Sequence, residues 1–176
     1  EFVNANPYYP VTNEDGTIPR DLDVYKRANY ADITATNPYY NAMLPSENRS
    51  KILSVTNNTN LNWYIIDNLR WTASMSLNTT NTDNMNFTDP AHTKYASSDY
   101  TKQGEYSSSK SRSWRYTMNT GIAYALSLND HNLTFNGRAE IRSTSSNTES
   151  FVATGFPKGV GAIPSFAYSF KENSTP

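Results

Sequence analysis

The sequence predicts an all-β fold: antiparallel strands forming part of a large transmembrane β-barrel with long extracellular loops. Three observations predict it. Apolar residues recur at alternate positions through much of two long stretches, 51–77 and 114–141, which is the period of a strand with two unlike faces. Each stretch is broken by a short polar turn and flanked by long polar segments, so short connections gather at one strand end and long ones at the other. The composition is that of wet, uncharged β-structure. Charged residues are 18% of the chain, against roughly 25% in ordinary soluble domains. Asn, Ser and Thr fill about a third of it, and aromatics are 13%, led by 13 tyrosines. Thr and Tyr favour strands.

The same numbers narrow the function. A chain of 176 residues and 19.8 kDa fits one domain. Without cysteine it has no disulfide framework and no thiolate metal site. Two histidines, His92 and His131, are too few for a His-built metal centre, so no metal or cofactor is expected. A net charge of -1 gives no ground for a nucleic-acid partner. No run of about 18 apolar residues offers a transmembrane helix, and no signal peptide opens the chain. It therefore reads as a mature form or a piece of something longer.

Residues 1–49 form a loop-rich region, punctuated by Asn6-Pro7-Tyr8-Tyr9-Pro10, Glu14-Asp15-Gly16, Asn37-Pro38-Tyr39-Tyr40-Asn41 and Leu44-Pro45. Residues 50–80 form a hairpin. Leu53, Val55, Leu61, Trp63 and Ile65 share one face of its first strand, and Leu69, Trp71, Ala73, Met75 and Leu77 share one face of its second. Opposed residues of an antiparallel pair point to the same side. A three-residue loop, Ile66-Asp67-Asn68, satisfies this by setting Ile65 against Leu69 and Trp63 against Trp71. Residues 81–112 form a long loop. Residues 113–143 form a second hairpin, with Trp114, Tyr116, Met118, Ile122, Tyr124, Leu126 and Leu128 alternating with small or polar residues. A four-residue loop, 129–132, opposes Leu128 to Leu133 and Tyr124 to Gly137, an aromatic ring covering a glycine. Residues 144–176 are loop-rich with a possible further strand.

Strands of 12 to 16 residues exceed the five or six usual in soluble sheets and suffice to span a bilayer. Four strands cannot close a barrel, and open edges are not tolerated in lipid. The chain is therefore expected to be a fragment of a larger barrel, with no plug of its own. The alternative is a soluble β-rich glycan-binding or adhesin module.

Candidate residues follow from these faces. Tyr8, Tyr9, Tyr39 and Tyr40 sit in loops where aromatic faces and neighbouring amides suit ligand or lid contact. Arg70, Arg115, Arg138, Glu140 and Arg142 fall on the polar, lumen-facing side. Trp63, Trp71, Trp114 and Tyr116 lie where membrane-interface aromatics belong. Asp130-His131 occupies a turn with no nucleophile near in sequence, so the chain is read as non-enzymatic.

Several stretches resemble a known family. Asn37-Pro38-Tyr39-Tyr40-Asn41-Ala42 resembles the Asn-Pro-x-Tyr-(Asn/Asp)-Ala stretch of SusC-like TonB-dependent transporters of Bacteroidetes. Phe87-Thr88-Asp89-Pro90-Ala91-His92-Thr93-Lys94-Tyr95 resembles the family's loop before a Lys-Gly-x-Tyr-like element, here Gln103-Gly104-Glu105-Tyr106. Ala153-Thr154-Gly155-Phe156-Pro157 resembles its Gly-Phe-Pro loop. The resemblance implies a plugged 22-stranded barrel in the cell outer membrane, importing glycans or peptides with energy passed by TonB. It implies as partners the remainder of the barrel and plug, a SusD-like surface lipoprotein, TonB through parts outside this chain, and outer-membrane lipid.

Overall fold

The structure, a computed structural model, describes residues 9–27 and 30–171. It is built mostly of antiparallel strands: β1 (Asp21–Arg27), β2 (Tyr30–Thr36), β3 (Glu47–Ile66), β4 (Leu69–Thr88), β5 (Glu105–Leu128), β6 (His131–Thr154) and β7 (Ser169–Phe170), with one short α-helix, α1 (Pro38–Met43). β1 and β2 form their own two-stranded sheet, and the rest form one open sheet in the order β3-β4-β5-β6-β7. The expected all-β class is present.

The strand boundaries differ from expectation. The region 1–49 contains the β1–β2 hairpin, α1 and the start of β3 rather than loop alone. The expected 81–112 loop shrinks to residues 89–104, because β4 runs to Thr88 and β5 begins at Glu105. β6 likewise runs past 143 to Thr154. The missed strand ends are rich in Asn, Ser and Thr on both faces, so they carry no apolar period. Strands of 20 to 24 residues result.

The chain divides into two compact units. The first comprises Glu1–Arg49, Met85–Ser108 and Ser150–Pro176. Its core is small: Phe87, Ala153 and Phe156 are buried, with Tyr106, Ala162 and Ala167 packed against them. The Phe87 and Phe156 rings meet edge to face at 5.3 Å. Gly155 brings the loops around it together. At φ +79° it occupies the left-handed region, and a Cβ there would stand 2.4 Å from the Thr101 carbonyl oxygen and 2.6 Å from Tyr168 Cβ, so no larger residue fits. Its carbonyl accepts from the Tyr168 N–H at 2.8 Å, and the Phe156 N–H donates to the Gln103 carbonyl at 2.8 Å.

The second unit comprises Ser50–Asn84 and Ser109–Glu149. Its registers can be read from cross-strand side-chain bonds. Ser50–Asn84 (2.7 Å), Ser54–Thr80 (3.1 Å), Asn78–Thr56 (2.7 Å) and Ser76–Asn58 (2.7 Å) all belong to the register that opposes Ile65 to Leu69 and Trp63 to Trp71. That is the pairing expected of the three-residue loop, but the turn itself is shorter: β3 runs to Ile66 and β4 begins at Leu69, leaving Asp67-Asn68 between them. Between β4 and β5, the Ala125 N–H donates to the Asn68 carbonyl at 2.9 Å and the Thr72 hydroxyl to the Gly121 carbonyl at 3.3 Å, so Trp71 faces Ile122.

The β5–β6 turn corrects an expectation. Ser127–Asn132 (2.8 Å) and Ser111–Thr148 (3.0 Å) fix a register that opposes Leu126 to Leu133 and Ile122 to Gly137. The turn is Asn129-Asp130, two residues rather than four. Asn129 takes it at φ 48°, a left-handed conformation that Asn tolerates better than most residues. The slip is by two, so every side chain keeps its face. Gly137 meets Ile122 instead of Tyr124, and a Cβ there would lie 3.3 Å from Ile122 Cγ2. In this register Arg138 faces Gly121, and Arg142 faces Thr117.

Candidate functional site: two unlike faces of one sheet

In the second unit, odd residues of β3, β4 and β6 and even residues of β5 share one face. That face carries Leu53, Val55, Leu61, Trp63, Ile65, Met75, Leu77, Trp114, Met118, Ile122, Leu128, Leu133, Phe135 and Ile141, all exposed. Leu53 and Ile141 are 61% and 62% exposed and Phe135 is 58% exposed, so more than half of each residue's surface stays uncovered. Soluble proteins rarely leave contiguous apolar patches above a few hundred Å² in water. Ile52 and Tyr64 are exposed on the opposite side of β3. A groove of about 440 Å³ runs over the apolar face, lined by Leu61, Trp71, Ala73, Met75, Met118 and Ile141 among others.

The four expected interface aromatics lie on this face in two pairs. Trp63 and Trp71 meet edge to face at 6.3 Å, and the Trp71 Nε1–H donates to the Thr120 hydroxyl at 2.8 Å. Trp114 and Tyr116, two residues apart on β5, stack at 5.6 Å with their planes 15° apart. One rung of the face is fully charged. The registers above align Lys51, Asp83, Lys110 and Glu149 across β3 to β6, so the charge alternates from strand to strand, an arrangement that favours cross-strand pairing.

The other face is polar. The Ser, Thr and Asn bonds that set the β3–β4 and β5–β6 registers all lie on it. Arg70, Arg115, Arg138, Glu140 and Arg142 share that side by strand parity. The structure brings three of them together on β6. Glu140 accepts from Arg138 Nη2 at 3.4 Å through one oxygen and from Arg142 Nη2 at 3.1 Å through the other. Arg138 Nη2 also donates to Asn119 Oδ1 at 3.1 Å. A second groove of about 370 Å³ opens here, with Asn60, Asn62, Thr72, Ser74 and Arg138 on its walls. Gly121 forms part of its floor, and a Cβ on Gly121 would stand 3.0 Å from Thr72 Oγ1.

The four candidate tyrosines are in the first unit and are not gathered into one place. Tyr8 lies outside the described residues. The Tyr9 hydroxyl donates to Asp23 Oδ2 at 2.9 Å. Tyr39 is exposed and Tyr40 half-buried on α1. Their flanking asparagines carry the structural work instead. Asn37 is fully buried. Its Nδ2 donates to the Val11 and Pro19 carbonyls at 2.9 and 2.8 Å, and its Oδ1 accepts from the Tyr39 N–H at 3.0 Å. Asn41 clasps Thr93, donating to its hydroxyl at 2.8 Å and accepting from its N–H at 3.1 Å. The Asn-Pro pair was the available signal, since Asn is a preferred N-cap and Pro a preferred first helical residue.

Charge perturbation is slight. The Asp15 carboxylate accepts from the Thr17 hydroxyl at 2.6 Å and the Thr17 N–H at 2.9 Å, which holds it below its ordinary value. Among the described residues no group of three or more His, Cys, Asp or Glu is placed to hold a metal ion, and no helix is long and apolar enough to cross a membrane.

No protein-family model matches the chain. No curated protein matches it either. Among solved structures it is similar to a chain of the "Cryo-EM structure of the Gasdermin A3 membrane pore", with 9% sequence identity, a TM-score of 0.25, and coverage of 72% of this chain and 71% of that one.

Proposed function

We propose that this chain is a section of a SusC-like TonB-dependent importer of glycans or peptides in the outer membrane. It would supply four membrane strands, β3 to β6, and the loops of the first unit. The carrying observation is the two-faced sheet: an exposed apolar face across four strands, backed by an Asn-, Ser-, Thr- and Arg-rich face. A soluble lectin or adhesin would have to bury that apolar face. The open edge of β3, and that of β6 beyond its two-residue pairing with β7, need further strands before lipid can surround them, which fits a piece of a wider barrel. The ordered motifs from Asn37 to Pro157 direct the reading to the SusC-like family, and with it to a SusD-like lipoprotein, TonB and a plug outside this chain.

The test is made on the whole polypeptide carrying these residues. It should fractionate with the outer membrane, co-purify with a surface lipoprotein, and support uptake of an oligosaccharide or oligopeptide only while TonB is present. A detergent-free, folded and monomeric chain of residues 1–176 would refute the membrane reading, because its apolar face and two edges would then be stable in water. Lipoprotein contact through Tyr39 or Tyr40 is part of the proposal, and their replacement by Ala should weaken co-purification.

A further inference from the structure

The polar face of the second unit carries its charges in one column. In the registers above, Arg70, Arg138, Glu140 and Arg142 are level with Ala123, Gly121, Asn119 and Thr117 of β5, and Arg115 follows on β5 itself. One charged side chain therefore stands on each of five consecutive rungs, about 6.8 Å apart, over about 27 Å of strand. All five are exposed. Glu140 is already engaged by Arg138 and Arg142, at 3.4 and 3.1 Å. No ion pair among the described residues involves Arg70 or Arg115. The other carboxylates of the unit stand off the column: Asp83 and Glu149 on the apolar face, Asp67 and Asp130 in the short turns. Four guanidiniums against one carboxylate leave the column with an excess of three positive charges.

The surroundings suit a sugar. Asn, Ser and Thr fill most of the remaining positions on those rungs, and among the described residues there Ala123 is the only aliphatic side chain. Carboxamides and hydroxyls both donate and accept, as ring hydroxyls do. Tyr64, exposed and on the same rung as Arg70, adds an aromatic face. The groove over Gly121 opens within the column, whereas the apolar side chains of an oligopeptide would find no apolar partner along it. The cations are all arginines, whose planar fork holds an oxyanion through two parallel bonds. We infer that this column is a binding track for an acidic oligosaccharide, with carboxylate or sulfate groups held by the arginines and hydroxyls by the amides between them. The inference rests on the importer reading above and adds the cargo: a glycan rather than a peptide, and an anionic one. A wall of one sign also concentrates an oppositely charged ligand before contact.

The test probes an array of neutral glucans, uronic-acid oligomers, sulfated oligosaccharides and oligoglutamates with the purified whole protein. The strongest binders should be uronic-acid or sulfated oligomers, and the two arms tell which oxyanion is read. Their affinity should fall at least about tenfold as salt rises from about 0.01 M to about 1 M, which shortens the screening length from about 30 Å to about 3 Å. Arg70→Gln combined with Arg115→Gln should weaken them by at least about tenfold, while Arg70→Lys with Arg115→Lys, which keeps both charges, should retain the salt dependence. Neutral glucans as the strongest binders, or anionic binding indifferent to the Gln pair, would overturn the track and leave the importer reading intact. Preference for oligoglutamate would overturn the sugar assignment. Loss of inserted protein in the Gln pair but not the Lys pair would show that the arginines hold another part of the protein instead, and would also overturn it. No binding to any probe, together with no TonB-dependent uptake, would count against the track and the importer reading alike.

Discussion

Asn37 provides the sharpest test of what the Asn-Pro motif does. Its side chain makes three bonds, one as helix cap to the Tyr39 N–H and two as donor to the Val11 and Pro19 carbonyls. Loss of an N-cap costs about 0.5–2 kcal/mol, and each part-buried carbonyl left unpaired costs up to about 1–3 kcal/mol. Asn37→Ala removes all three, so the loss should fall at about 2–5 kcal/mol after partial rescue by water. Asn37→Asp discriminates between the roles. It keeps the capping oxygen but sets a carboxylate against two carbonyl oxygens at 2.8–2.9 Å, and should cost more than Ala. The assay is native-state hydrogen exchange in the whole protein, followed at the Tyr39 amide and at the Asn37 amide that donates to the Arg20 carbonyl. Exchange at both should accelerate by at least about tenfold, since 1.4 kcal/mol is one decade. An Asn37→Asp protein as protected as the wild type would refute the reasoning, because the cap alone would then account for the burial of Asn37.

Gly155→Ala should loosen the loops that meet at Thr101 and Tyr168, costing about 2–5 kcal/mol from left-handed strain and overpacking; limited proteolysis within 89–104 and 155–168 reads the loss, and unchanged resistance would contradict it. Met75→Arg, in the apolar face, should cost about 2–4 kcal/mol of folding into lipid, whereas Asn119→Arg on the polar face should be tolerated; equal yields of inserted protein would contradict the facing of the strands. The Asp15 turn depends on an ionised carboxylate with a lowered folded-state value. Its contribution is present above the unfolded value and fades as pH falls through the folded one, so protection of the Thr17 amide should decline on acidification below pH 3.8. Protection that holds at pH 2 would show that the carboxylate charge is not what orders it.

What was legible in the sequence was the part with contrast between its faces. Trp63, Leu69 and Trp71 alternate with polar residues, and both their hairpin and its register could be read from pairing alone. The stretch Thr79–Asn84 could not, because Asn and Thr stand on both sides and neither face declares itself. The β5–β6 turn failed for a different reason. Leu128 with Leu133 and Leu126 with Leu133 are both apolar pairs, so hydrophobic matching does not choose between registers two residues apart. The backbone of Asn129 chooses. Among the candidate sites, the side of each arginine and tryptophan followed from parity. Beyond the local cap of Asn37 on Tyr39, the roles of Asn37 and Asn41 did not, because those partners lie 18 to 52 residues away in the chain.

Both short turns close hairpins at the same strand end, and this makes the hairpin a unit of architectural change. Each one leaves and returns to the loop-bearing end, so in the barrel proposed above the insertion or deletion of a hairpin would keep every remaining loop on its original side. The sheet would widen or narrow by about 9.6 Å each time, while the polarity of both faces is preserved. A duplication of residues 50–84 or 109–149 would thus enlarge such a barrel without its loops being redesigned.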